Sequence, residues 1–335
     1  MKTSLSATEP ELLAPLSAVT VTEISDPTSV GETIEELEQD VVKLSSSRLR
    51  GRRVLVRLGD CLVVFHSTNL PVRTRVCLQA GFVVYTAFGR GAIGTVNGLS
   101  IGPDQILACA SGIEVELIVS AGYESIAFLL PPEMIRDHAM RRQREDEILI
   151  PQNLEMLTSS LAGARELYEW GHRLTDIAGR QPDVFDIPQT QFSAQVELLE
   201  ILLATLGSAR QNEPSLHDLT QQGRSKIVQI AEDYALSHTA ERIHVSDLCE
   251  AAGVSERTLQ YAFKELLGMS PMAYLTQLRL HRARQTLRAA THASTTVAKE
   301  ALRWGFWHFG DFSRAYKECF EELPSETLRR QSDAG

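Results

Sequence analysis

Residues 245–267 read VSDLCEAAGVSERTLQYAFKELL. Leu248 and Ala252 precede Gly253, and Val254, Leu259 and Ala262 follow it. The spacing predicts a helix, a tight turn whose glycine tolerates a left-handed backbone, and a second helix with apolar inner positions, which together make a helix-turn-helix. Cys249 is small enough for the two helices to cross closely, and Ser255 sits where an N-cap opens the second helix. Arg257, Gln260, Tyr261 and Lys264 are left on the outer face. Arginine and glutamine make paired hydrogen bonds with guanine and adenine edges in the major groove. A solvated helix face is the usual fate of such residues, so the reading needs support from elsewhere in the chain.

The same shape recurs about fifty residues later. Val297, Ala301 and Trp304 lead to Gly305-Phe306, and Phe312, Ala315 and Tyr316 follow on another helix. Ser270-Pro271, a cap followed by a first-turn proline, opens a long helix through Leu280 and Leu287 that joins the two units. Two such units at fixed separation can read two adjacent major-groove segments from one face of DNA. Trp304, Phe306, Trp307 and Phe309 suggest a stacking platform, but their spacing around Gly305 assigns most of them to the core, Trp307 least clearly.

The chain has 335 residues, 43% of them hydrophobic and 23% charged, an ordinary globular composition with room for two or three domains. Its five cysteines are scattered without a Cys-x-x-Cys pair, which argues against a disulfide framework and a structural zinc site and for a reducing, cytoplasmic setting. No apolar run is long enough to span a membrane, and the first residues lack a signal-peptide core. Charge is uneven. Residues 224–330 carry 15 Lys+Arg against 13 Asp+Glu, whereas the remainder carries 18 against 30. So small a positive excess holds DNA weakly by charge alone, so specific contacts or pairing must supply the strength.

Between Val54 and Leu130, short apolar runs alternate with turn material such as Asn97-Gly98 and Gly102-Pro103-Asp104, which predicts a small β-barrel or sandwich. The stretch from Glu32 to Leu44 reads as a short amphipathic helix or as irregular structure feeding a strand. Pro131-Pro132 closes the β region. Leu154, Leu157, Leu161, Ala164 and Tyr168 then form one helical stripe, and Phe192, Val196, Leu199, Leu203 and Leu206 a second. These predict an αα-hairpin whose stripes pair two subunits or pack on each other and the barrel. The expected organisation is α+β: a mobile arm (1–22), a sensing barrel with an Arg-rich leading segment (23–131), a helical hairpin (132–206), a linker (207–223) and an all-α double helix-turn-helix (224–330).

Two enzyme-like patterns fail on context. Gly89-Arg90-Gly91-Ala92-Ile93-Gly94 fits a dinucleotide fingerprint, but Asn97-Gly98 turns the chain before a helix can form. Gly98-Leu99-Ser100-Ile101-Gly102 fits a nucleophile elbow, but Pro103-Asp104 and further strands follow. No catalytic residue is assigned, and an enzyme using Ser100 is kept as a distant alternative.

Residues 224–330 resemble the AraC/XylS family of bacterial transcription regulators. The resemblance is carried by VSERTLQYAFKELLGMSPMAYL, the linking RLHRARQTL, and ALRWGFWHFGDFSRAYKECF ending in LPSE. It covers roughly a third of the chain and is specific because the motif is doubled. It implies double-stranded promoter DNA as partner, a homodimer, and RNA polymerase as a further partner. Two departures matter: Glu300 stands where an apolar residue is usual, and Asp311 puts an anion near the phosphates. The second unit is therefore expected to make fewer base contacts, through His308 and Arg314.

A small barrel beside such a tail looks like a cupin domain, which in enzymes commonly holds a metal through several histidines. Before residue 130 this chain has one, His66, so no metal site is expected, and His66 is read as packed or exposed. Arg48-Leu49-Arg50-Gly51-Arg52-Arg53 places four arginines in six residues of an acidic region. Arginine suits bidentate recognition of phosphate and of the guanine edge. The Arg48-x-x-x-Arg52 pattern before a barrel resembles the cyclic-di-GMP clamp of PilZ domains and the cyclic-di-GMP-responsive branch of AraC-like regulators. That resemblance implies an activator whose effector, cyclic di-GMP, is held by Arg48 and Arg52, with Arg50 or Arg53 assisting and Asn97, Ser100, Arg73 or Arg75 completing the site. It implies no cofactor. The alternative within the class is a regulator sensing another small metabolite.

Overall fold

The computed structural model describes residues 17–32, 34–211, 213–239, 241–290 and 294–332, so most of the expected mobile arm lies outside the described residues. The N-terminal part is a β-sandwich of two sheets that face each other without closing into one ring. The larger sheet has the order β1-β3-β4-β11-β6-β9-β12-β13. Its strands are β1 (Val19–Ile24), β3 (Gly51–Leu58), β4 (Cys61–Thr68), β6 (Val83–Phe88), β9 (Gln105–Ala110), β11 (Tyr123–Leu130), β12 (Leu154–Thr158) and β13 (Arg210–Gln211). The smaller sheet runs β2-β5-β10-β7-β8. It comprises β2 (Leu37–Lys43), β5 (Val72–Leu78), β7 (Gly94–Val96), β8 (Leu99–Ser100) and β10 (Glu114–Val119). Every pairing is antiparallel.

Both sheets are covered on both faces, which explains why β3 and β4 read as nearly continuous apolar runs. On β3, Val54, Val56 and Leu58 pack against helices α2 (Leu161–Arg180) and α3 (Pro188–Gly207), whereas Leu55 turns inward between the sheets. Gly171 permits the close approach of α2, since a Cβ there would lie 2.6 Å from Ile126. A shorter helix, α1 (Pro132–Arg142), precedes the hairpin and buries Ile135 and Ala139 in the same layer. Leu199, Leu203 and Leu206 are buried in it too, so most of the second stripe packs within the fold, and Phe192 is left 60% exposed.

The smaller sheet turns its outer face to the C-terminal helices α4 (Leu216–Ser237), α5 (Val245–Ala252), α6 (Glu256–Leu267) and α7 (Pro271–Ala289). Val42 and Ile118 from this sheet join Val228, Phe263 and Leu278 in one apolar cluster. A second cluster joins the C-terminal half of α7 to α8 (Val297–Arg303), α9 (Phe309–Phe320) and α10 (Pro324–Ser332).

Several boundaries differ from the sequence expectations. Strand β1 begins inside the stretch assigned to the arm, paired with β3 from Val19↔Val56 to Ile24↔Gly51. Residues 37–43 form a strand because Leu37, Gln39 and Val41 alternate into the sandwich interior. Leu154 and Leu157 belong to β12, paired with β9, and the helix starts only after Ser160, whose hydroxyl accepts the Gly163 N–H at 3.1 Å. The expected linker holds β13 and the start of α4, which opens on a capping box of Ser215 and Asp218.

His281 on α7 is fully buried at the junction, its Nε2 accepting the Lys43 N–H of β2 at 3.2 Å. Burial and the Lys43 ammonium push its pKa down to about 3. His66 inside the sandwich is likewise pushed down to about 3 by burial and the charge of Arg53. The unfolded chain therefore binds these protons near pH 6.5 while the native chain refuses them, so stability falls as pH drops from about 6.5 toward 3, by about 1.4 kcal/mol per pH unit for each histidine. Urea unfolding at pH 7.5 and 5.5 is expected to show this loss, with a shallower pH slope in His281→Gln. An unchanged slope would show that His281 is not held neutral.

Candidate functional site

The first helix-turn-helix unit is set by local geometry. Gly253 takes φ 64° and ends α5, and Ser255 Oγ accepts the Thr258 N–H at 3.2 Å to open α6. Leu259, Ala262, Phe263 and Leu267 point inward, leaving Arg257, Tyr261 and Lys264 exposed and Gln260 half-buried. The Arg257 guanidinium lies 5.3 Å from the centroid of the Tyr261 ring, a cation–π contact that pre-positions it on the face. Lys264 Nζ donates to the Gly268 carbonyl at 3.3 Å and so caps its own helix. The structure thus brings Arg257, Gln260 and Tyr261 together and turns Lys264 toward the helix end.

The second unit pivots on Gly305, at φ 78°, where a Cβ would meet Arg279 Nη1 at 2.7 Å and the Thr239 carbonyl at 2.9 Å. Trp304 Nε1 donates to Thr286 Oγ1 and Phe306 packs on Phe312, so both belong to the core. Trp307 and Phe309 are exposed, 56% and 46%, beside exposed His308 at the start of α9. Arg314 donates to Asp311 at 2.6 Å, so the anion noted in the sequence neutralises the best cation on this face. Glu300 is buried and accepts the Thr295 hydroxyl at 2.6 Å, a structural role that accounts for its place.

Three arginines of α7, which the sequence grouped with the DNA-binding tail, reach across to the N-terminal part. Arg282 pairs with Asp40 at 2.8 Å, and Arg284 pairs with Asp26 at 2.8 Å and Glu322 at 2.6 Å. Arg288 reaches Asp26 at 3.3 Å. Lys43 Nζ donates to the Cys319 carbonyl at 2.7 Å in the last turn of α9, where a cation meets the negative end of the helix.

On the sensing side, the eight candidate residues do not converge. Arg48 is 64% exposed, with Nε 3.9 Å from Glu321 just past α9, and Arg52 pairs instead with Glu23 of β1 at 3.8 Å. Arg50 is exposed. Asn69 fixes this segment: its side chain donates to the Arg48 carbonyl at 3.1 Å and accepts the Arg50 N–H at 2.6 Å. Arg53 points the opposite way from Arg52, into the sandwich, because side chains alternate along β3. Arg73 and Arg75 sit on the face toward α4, bonded to Glu232 and Asp233. Asn97 accepts the Glu116 N–H at 2.7 Å, and Ser100 Oγ donates to Asp218 at 3.0 Å. Arg73, Arg75 and Ser100 thus meet α4, and Asn97 meets β10, rather than the arginine segment. Ser100 also ends a two-residue strand with no helix behind it, whereas a nucleophile elbow requires a strand-to-helix turn.

Between the sheets lies a cavity of about 130 Å³ with mostly apolar walls, among them Val72, Val115, Leu117 and Ala127. Two basic side chains line it. Arg53 donates to the Val30 carbonyl and to Gln39 Oε1, both at 2.8 Å, and burial lowers its pKa to about 10. His66 Nδ1 has no hydrogen-bond partner among the described residues. Sequence reasoning missed this role of His66; the signal was its place in the alternation of β4, legible only once the strand had two buried faces.

A family profile described as "Helix-turn-helix domain" matches residues 248–330. The "Probable thc operon regulatory protein" of Rhodococcus erythropolis is 42% identical over 103 residues, 31% of each chain. "XylDLEGF operon transcriptional activator 3" of Pseudomonas putida is 34% identical over 106 residues, 32% of this chain and 31% of that one. The match thus spans about a third of the length of these curated relatives. A solved structure described as a probable AraC family transcriptional regulator from Rhodopseudomonas palustris is 38% identical, covers 31% of this chain and 96% of that chain, and has a TM-score of 0.29. Through this C-terminal third, the chain carries a helix-turn-helix domain similar to that of AraC/XylS-type transcription regulators.

Proposed function

We propose that this chain is an effector-responsive transcription regulator that reads two adjacent major-groove segments of promoter DNA. The observation that carries the reading is the pair of helix-turn-helix units, joined by α7, whose outer faces remain exposed while their inner faces are buried. The faces are unequal: Arg257 and Gln260 are available to base edges, whereas Arg314 is paired with Asp311. Activation is the sense we assign, in line with the printed name of the Pseudomonas relative, with RNA polymerase as the partner that activation requires. A cytoplasmic regulator fits a chain in which, among the described residues, no helix is long and apolar enough to cross a membrane. Pairing of two chains would raise affinity for repeated sites, and Ile177, Ile187 and Phe192 on the hairpin are exposed apolar residues suited to it. Selection of bound fragments from genomic DNA, followed by gel shift, tests the reading. Arg257→Ala/Gln260→Ala is expected to weaken binding by about 2–6 kcal/mol, at roughly 1–3 per lost base contact, and Arg314→Ala by much less. Failure of the wild-type chain to bind any fragment at low salt would overturn it.

For the effector, the arginine segment supports cyclic di-GMP. Arg48 and Arg50 are exposed on a backbone ordered by Asn69, and an anion at Arg48 would compete with Glu321 and so act on the second unit. The interior is mostly apolar and its one arginine, Arg53, is already bonded to Val30 and Gln39, so a dianionic dinucleotide would sit outside the sandwich, on Arg48, Arg50 and Arg52. The cavity itself favours a second reading, a compact metabolite enclosed between the sheets and hydrogen-bonded by His66. Isothermal titration with cyclic di-GMP is expected to show saturable binding that is lost in Arg48→Ala/Arg52→Ala. No binding to folded wild type would return the arginines to a solvated patch and leave the cavity as the sensor.

A further inference from the structure

The smaller sheet stands between the cavity and the DNA-reading helices, and it is one strand thick. Its side chains alternate between the two. On β5, Val72, Thr74 and Val76 line the cavity, whereas Arg73 and Arg75 reach α4. On β10, Val115 and Leu117 line the cavity, whereas Glu116 bonds Ser225 of α4 and Ile118 enters the apolar cluster of α4–α7. A shift of the cavity wall is therefore also a shift of the surface that carries the first unit.

That surface holds a charge cluster where apolar packing would have sufficed. Arg73 donates to Glu232 at 2.6 Å, to the Tyr274 hydroxyl at 3.0 Å and to Glu116 at 3.0 Å. Tyr274 lies 3.2 Å from the same Glu232 oxygen, and Ser225 donates to Glu116 at 2.6 Å. Arg73 is 1% exposed and Glu232 0%. A buried ion cluster adds little over well-packed apolar residues, and losing one partner while the rest stay buried is costly. Opened to water as a whole, each charge recovers its hydration. Such a cluster therefore has two favourable arrangements, closed or fully open, where an apolar contact has one.

We propose that the Arg73–Glu116–Glu232–Tyr274 cluster is a latch worked from the cavity: filling the space between the sheets moves β5 and β10 and releases α4 and the N-terminal half of α7, which carries Tyr274, from them. The second unit stays tied to β2 and to the turn before it, by Lys43 on the Cys319 carbonyl and Arg284 on Asp26. Release of one anchor and not the other changes the placement of the two units relative to each other, and with it the DNA spacing they fit. The functional consequence rests on the DNA-binding reading above; the latch itself does not.

The test uses cavity-filling substitutions in the full chain as a stand-in for ligand. Thr74→Leu fills from the latch strand, and Ala127→Val fills more gently from the opposite wall. Each is made in wild type and in a background with the cluster neutralised, Arg73→Met/Glu116→Gln/Glu232→Met. Amide exchange is followed in α4 and α7, with α2 and α3 as the reference and thermal melting as the check on folding. Filling is expected to speed exchange of α4 and of the N-terminal half of α7 at least tenfold in wild type and less than twofold in the neutralised background. Unchanged exchange on filling in wild type, or equal acceleration in both backgrounds, overturns the latch. Because exchange needs no DNA, the expected pattern in a chain that binds no fragment would leave the latch standing and remove the DNA-binding reading instead.

Discussion

Double burial of the sheets is the constraint on which the rest of the molecule depends. The larger sheet gives one face to α2 and α3 and the other to the interior, and the smaller gives one face to the interior and the other to α4 and α7. Because a strand alternates its side chains, each residue is committed to one neighbour by its parity. Arg52 and Arg53 are adjacent in sequence and serve opposite compartments. Arg73 and Thr74 do the same on β5, and this places the cavity wall and the surface that carries α4 one backbone apart.

The distribution of charge follows from the same packing. An acidic N-terminal part and a mildly basic tail suggest that the tail keeps its cations for DNA. Instead, Arg282, Arg284 and Arg288 neutralise Asp26 and Asp40, and Lys43 from the sandwich caps α9. Those three arginines are thereby withdrawn from any DNA surface, which on the proposed reading shifts some of the burden from phosphate attraction to base contacts and to pairing of chains. It also means that high salt would weaken the binding less steeply than for a strongly basic regulator.

The two helix-turn-helix units were legible because their determinants are local. Gly253 and Gly305 at positive φ, the Ser255 and Ser270 caps and the apolar spacing all lie within a few residues of what they specify. The apolar runs of the sandwich were legible as strands for the same reason. The rest depended on partners distant in sequence. Leu154 and Leu157 fit a helical stripe equally well, and only pairing with β9 makes them a strand. The inward turn of Arg53, the cavity position of His66 and the engagement of Arg73 with Glu232, 159 residues away, follow from register and packing that no local pattern encodes. The capping box of Ser215 and Asp218 was a local signal, hidden within a polar stretch that resembles a linker.

The central claim is that two units joined by α7 read one face of DNA. Hydroxyl-radical footprinting of the full chain on a selected fragment tests it most directly. Two protected segments about one helical turn, or roughly 34–36 Å, apart on the same face are predicted, with the stronger protection under the Arg257–Gln260 unit. A single protected segment, or two on opposite faces, would contradict the account.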